Sequence, residues 1–168
     1  PPHSSNNRRS KYGAESVTEE INYRSAIKDF LGRPVPAEGE LRIWLDDDPI
    51  DREAPEGWVH VRSVREACFA LLTGRVVELS LDNDLNNPRE SEDVFGTGYQ
   101  VIDFLEEQHG VVGIFLWPRD GIVLHTANTQ GRERMARSFE PLKRDPDLIV
   151  KEERTPGGKP RFTVEVRS

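Results

Sequence analysis

The chain has 168 residues and a formal net charge of −7, from 30 acidic and 23 basic residues. That is enough for one domain with modest appendages but not for two full domains, and it is too acidic for a broad basic face that coats nucleic acid. A single cysteine, Cys68, excludes an internal disulfide and a multi-cysteine zinc site; among its apolar neighbours it reads as a core thiol in a reducing compartment. No apolar run is long enough to span a membrane, and the opening PPHSSNNRRSKYG lacks the apolar centre of a secretion signal, so the expected location is the cytoplasm.

In chain order, residues 1–15 are polar and cannot bury enough surface to offset the entropy of ordering; they are expected to form a disordered tail. Residues 16–40 read as a helix and a linker. Ser16 and Glu19 form a capping box, Val17, Ile21, Arg24, Ile27 and Leu31 recur at helical spacing, and Gly32 ends the run before the Pro-containing RPVPAEGE.

Residues 41–145 alternate short apolar runs with capped helices, the pattern of βαβ units and a mainly parallel sheet. LRIWL, GWVHVR, VVELSL and GIVLHT read as strands. Helices are expected after Ser63, whose capping box includes Glu66, over Tyr99 to Gln108, and over Arg132 to Lys143. VVGIFLW reads equally as a strand or an apolar loop, and His60, alternating with Val59 and Val61, is expected to face solvent. Residues 146–168 read as a β-hairpin extension, LIVKEER and RFTVEVR joined by TPGGKP.

Ligands of open parallel sheets bind at the carboxyl ends of the strands, where this chain places its polar residues. Asp46, Asp47 and Asp48 end the first strand, Asp82 and Asp84 the third, and His125, Thr126 and Asn128 the fourth. If the first and third strands are neighbours, their carboxylates crowd together and call for a hard cation. Mg²⁺ suits because it takes few carboxylates and keeps water or phosphate oxygens. Loop solvation and helix capping are the competing reading of the same aspartates. His125 is either a general acid or base or a satisfied half-buried histidine. Thr126, Asn128, Arg132 and Arg134, around the start of the following helix, are the candidate phosphate ligands, with salt bridges to the acidic loops as the alternative for the arginines. Residues two apart point to different sides of a helix, so only one of Arg132 and Arg134 should face inward. FGTGYQ lacks the third glycine of a dinucleotide fingerprint and does not directly follow a strand.

The acidic pair after the first strand, the Asp ending the third and Thr-Ala ending the fourth resemble a response-regulator receiver domain. LDDDP, EGWVHVRSVREA, ELSLDNDL, GTGYQVIDFLEE and LHTANTQGRERM resemble, in order and spacing, the cyclic-phosphate processing receiver domain family. The resemblance implies a receiver-like, flavodoxin-like, doubly wound α/β fold with helices on both faces. It places Asp46, Asp47 and Asp82 on a metal, makes Asp82 a ligand or phosphoacceptor, and sets Thr126 against phosphoryl oxygens. It also implies a part in handling cyclic phosphate ends in RNA repair. The chain departs from a standard receiver in two places. DPIDREAPE is too short for a helix between the first two strands, and neither Lys151 nor Lys159 has the setting of a receiver lysine.

The expected function is therefore Mg²⁺-dependent processing or recognition of phosphate esters, with a nucleotide or RNA end as ligand and Asp82, Asp84 and His125 as the catalytic set. A nucleophilic Asp82 is a second enzymatic route. DNDL is also similar to the paired aspartates of haloacid dehalogenase-like phosphatases, although there the pair follows the first strand. The non-enzymatic alternative is a receiver-like signalling or interaction module phosphorylated on Asp82.

Overall fold

A computed structural model describes residues 23–47, 53–85 and 96–168. The proposed helix start at Ser16 and Glu19, the apolar positions Val17 and Ile21, and Asp48 lie outside these residues.

Helix α1 (Tyr23–Leu31) leads to strand β1 (Leu41–Leu45), and the next element is β2 (Val59–Val61). Then follow α2 (Val64–Leu72), β3 (Val76–Leu81), α3 (Tyr99–Glu107) and a π-helical turn (Gln108–Val112). The chain closes with β4 (Ile122–Leu124), α4 (Thr129–Arg137), α5 (Glu140–Lys143), β5 (Leu148–Arg154) and β6 (Pro160–Val166). One six-stranded sheet runs in the order β2-β1-β3-β4-β6-β5. Strands β2, β1, β3 and β4 pair in parallel, whereas β6 pairs antiparallel with both β4 and β5. The C-terminal hairpin is thus built into the sheet: Ile122 lies opposite Phe162 and Val123 opposite Arg161.

Ile43, Leu45, Leu79, Leu81 and Leu124 are fully buried, while the alternate positions Arg42 of β1 and Glu78 of β3 are exposed and half-buried. Helix α2 starts where Ser63 Oγ accepts the Glu66 N–H at 3.1 Å. The Glu66 carboxylate reaches the Arg62 N–H at 3.5 Å, so the reciprocal bond of the box falls one residue earlier than its usual place. Helix α1 docks on α2 through the stacked rings of Phe30 and Phe69, 4.1 Å apart, and the ion pair of Arg33 with Glu66 at 3.2 Å.

Two expectations are corrected, and one open reading is decided. The helix expected over Arg132 to Lys143 is two helices, separated at Ser138 and Phe139. Pro141 has no N–H to donate to the Arg137 carbonyl and its ring would clash there, so α4 ends at Arg137. VVGIFLW is no strand: its start belongs to the π-helical turn, and Val111, Val112, Ile114 and Phe115 are exposed. His60 does not face open solvent; it is half-buried and bonded to the backbone of Asp46.

Candidate functional site

Parallel pairing aligns the ends of three strands. Leu45 lies opposite Leu81 and Leu81 opposite Leu124, so Asp46, Asp82 and His125 leave the sheet side by side. Backbone bonds fix the next step of the register: Asp46 N–H donates to Val61 O (3.1 Å), Asp82 N–H to Leu45 O (3.0 Å) and His125 N–H to Leu81 O (2.9 Å). Side chains two apart share a face, so Trp44 and Ser80 support the residues that follow them on that face.

Asp46 is fully buried and held from several sides. Its carboxylate accepts from His125 Nε2 at 3.2 Å, and its carbonyl accepts from His60 Nε2 at 2.6 Å. A carbonyl and a carboxylate can only accept, so both Nε2 atoms carry a proton. His125 Nδ1 lies 2.7 Å from Ser80 Oγ, and the ring stacks on Trp44 with centroids 4.1 Å apart. Trp44 in turn meets the edge of Trp58. With both nitrogens engaged and the ring covered, His125 is placed to orient Asp46.

Asp82 is buried, and its pKa is raised above the ordinary aspartate value, first by loss of solvation and then by the nearby Asp46 charge. A hydrogen bond from the Thr126 hydroxyl, the His125 charge and a bond from the Asp84 N–H act in the opposite direction. Asp84 is tied to the helix start: Asn128 Nδ2 donates to both of its carboxylate oxygens, at 3.2 and 3.1 Å. Asn128 Oδ1 caps α4 by accepting the Gly131 N–H at 3.1 Å, and Asn83 Nδ2 also donates to Asp84 at 3.2 Å.

These residues surround a cavity of about 220 Å³ lined by Asp46, Asp47, Asp82, Asp84, Thr126, Ala127 and Asn128. Four carboxylates line it, and no arginine or lysine does among the described residues. Asp46, Asp82 and His125 each offer a ligand atom, and all of these atoms lie within 4.8 Å of one another. Since His125 Nε2 is committed to Asp46, the donors left for a cation are oxygens, which fits a hard ion such as Mg²⁺ better than a nitrogen-seeking metal.

Of the candidate phosphate ligands, Thr126 and Asn128 line this cavity, with Asn128 occupied by Asp84 and the helix cap. Arg134 lines a neighbouring cavity and lies over the Tyr99 ring, its guanidinium carbon 3.9 Å from the centroid. Arg132, half-buried on α4, lines neither.

The family model of the cyclic-phosphate processing receiver domain matches residues 41–141. The chain belongs to this family. Comparison with curated proteins and with solved structures gives no match. The matched region of this receiver domain runs from the first residue of β1 through the start of α5, and so includes every residue of the acidic cavity. No helix among the described residues is long and apolar enough to cross a membrane.

Sequence reasoning passed over Trp44 and Ser80, set His60 in solvent, and read Gly98 only against a dinucleotide fingerprint, although all four build the site. Trp44 and Ser80 stand two residues before Asp46 and Asp82 on strands, a spacing that puts them on the same face, and that signal was available. His60 depends on β2 lying beside β1. Gly98 depends on a close approach of backbones: a Cβ there would stand 2.2 Å from Asp82 O.

Proposed function

We propose that this receiver domain recognises or hydrolyses phosphate esters, with cyclic phosphate ends of RNA or nucleotides as the ligand class, through a divalent cation held by Asp46, Asp47 and Asp82. The four-carboxylate cavity at the ends of β1, β3 and β4 carries this reading. Carboxylates that close repel a bare phosphate, so an anion enters only with a cation between them. The family match supplies the ligand class.

Asp46 is oriented for the ion by His125 and His60, which fix its carboxylate and carbonyl. Thr126, now donating to Asp82, can turn its hydroxyl to a phosphoryl oxygen, while the start of α4 biases the rim towards anions. Mg²⁺ bound there would supply charge neutralisation and an acidified water. In hydrolysis of a cyclic ester, the water oxygen bonds to phosphorus and one ring P–O bond breaks. Asp84, held beside Asp82, takes the water proton and returns one to the departing ribose oxygen. The four parallel strands form the receiver-like, doubly wound part of the sheet, with β6 and β5 as its antiparallel edge.

The deciding experiment incubates a nucleoside 2′,3′-cyclic phosphate, and an RNA with that end, with wild type and Asp82→Asn in Mg²⁺ or chelator. Binding or ring opening that needs the cation and is lost in Asp82→Asn is expected. Product that survives both chelation and the substitution would remove the site. Stable acid-labile phosphate on Asp82 after treatment with a small phosphodonor, without turnover, would establish the signalling module instead.

A further inference from the structure

A second cavity of about 480 Å³ adjoins the acidic one and shares Asn128 with it. Its wall comprises Asn83, Gln130, Gly131, Glu133, Arg134 and Arg137, besides Asn128. Gln130, Arg134 and Arg137 are spaced i, i+4 and i+7 along α4, so one helix face presents an amide and two guanidiniums. Arg132 falls off that face. Two arginines against Glu133 make this cavity net positive, in contrast to the four carboxylates next door.

The packing of the wall and the state of Arg134 define what the cavity can hold. Asn83 closes one wall of the cavity: it is only 8 % exposed, and its Oδ1 is sealed from the cavity space. Its Nδ2 is used by Asp84, and Gly131 packs so closely that a Cβ there would stand 2.5 Å from that nitrogen. Arg134 lies over the Tyr99 ring, and among the described residues no hydrogen bond engages its guanidinium; its charge lowers the pKa of Asp103 against the effect of burial. A guanidinium braced on a ring, with its fork uncommitted, is pre-organised for a phosphate.

We infer that this cavity is a subsite for the nucleotide unit adjoining the end phosphate, with Arg134 and Arg137 on the internucleotide phosphate. The inference rests on the acidic cavity receiving the terminal phosphate, and it makes the ligand an oligoribonucleotide end, not a mononucleotide. The volume lies in the range of sites that hold a nucleotide-sized ligand, whereas the acidic cavity has room for little more than a phosphate and an ion.

The test compares wild type and the double variant Arg134→Gln with Arg137→Gln, in Mg²⁺, on adenosine 2′,3′-cyclic phosphate and on a triadenylate with the same end. Wild type should hold the trinucleotide at least ~10-fold tighter, and the double variant should bring the ratio near one. A wild-type ratio near one, or a ratio untouched by the substitutions, overturns the subsite. The second arm is independent of the acidic cavity: the dinucleotide ApA, with a free 3′ hydroxyl, is titrated while the Gln130 side-chain amide and the Gly131 backbone amide in the cavity wall are followed by NMR. Shifts at these groups that vanish in the double variant Arg134→Gln with Arg137→Gln support the subsite even if no cyclic phosphate binds, which would be a failure of the proposed function alone. No shift at these groups overturns the subsite even if Mg²⁺-dependent binding of the mononucleotide persists.

Discussion

Replacing Gly98 by alanine tests whether the site is held by the approach of two backbones. Gly98 has φ −56° and ψ −34°, which any residue adopts, so its conformation does not call for glycine. Space does: an added Cβ would meet Asp82 O at 2.2 Å, Asp82 C at 3.0 Å and Asn83 Cα at 3.1 Å. Nothing in that set is a flexible side-chain tip. Relief requires the start of α3 to move from the Asp82–Asn83 segment, which strains the Gly98 N–H bond to Asn83 O, now 3.1 Å. Overpacking of this kind costs about 1–3 kcal/mol, a large part of the roughly 5–15 kcal/mol that holds a domain folded. At a urea slope of about 2 kcal/mol/M the midpoint should fall by roughly 0.5–1.5 M with the slope unchanged. Mg²⁺ affinity, measured by calorimetry, should fall with it because Asp82 is the residue displaced. Gly110→Ala is the control, since a Cβ there meets nothing within 4 Å. Equal midpoints for the two variants, with Mg²⁺ binding intact in both, would refute the argument.

Other consequences follow from the same side chains. In chelator, Asp82 has a folded pKa above its unfolded one, so its contribution is fully present below about 3.8 and is lost as pH rises through the folded value. Asp82→Asn should therefore make the metal-free protein more stable near neutral pH, while removing the stabilisation by Mg²⁺, about 2.7 kcal/mol at 100 times its Kd; denaturant midpoints with and without Mg²⁺ measure both. His125→Phe keeps an aromatic ring for Trp44 but strips the partner from Ser80 and Asp46; a loss of about 1–3 kcal/mol and weaker Mg²⁺ binding by calorimetry are expected. Burial pushes the Cys68 thiol up to about 12. Its contribution is present below the unfolded value of 9.0 and drains away as pH rises towards 12; Cys68 is half-buried, not the core thiol expected from its neighbours, and should react with a disulfide reagent near neutral pH more slowly than an ordinary thiol because so little of it is thiolate.

How far the site was legible depends on what each residue needed from its neighbours. Asp46, Asp82 and Thr126 could be named because a parallel sheet sends successive strand ends to one edge, whatever the order of the outer strands. The break at Pro141 was equally visible as a missing N–H, but a run of apolar positions through Met135, Phe139 and Leu142 masked it. His60 is different. Alternation with Val59 and Val61 says only that it lies on the other face of β2, and that face is covered by the β1 end beside it, where Nε2 reaches Asp46 O. The place of the hairpin was open for the same reason: the alternation of β5 and β6 reveals two strands but not that β6 pairs with β4.

Gly98 and Gly131 are the strongest case of information that pattern cannot carry. Both lack positive φ, and neither belongs to a complete glycine motif. Each marks a contact with the two residues that follow β3, Gly98 with the Asp82 backbone and Gly131 with the Asn83 side chain. The short segment Asp82–Asn83 is thus clamped between the starts of α3 and α4. That clamp sets where the Asp82 carboxylate points, and it also keeps Asn83 turned towards the second cavity. A substitution at either glycine should therefore disturb both cavities together, whereas the arginines of α4 affect only one. The acidic site and its neighbour are mechanically linked through two consecutive residues, although their charges are opposite.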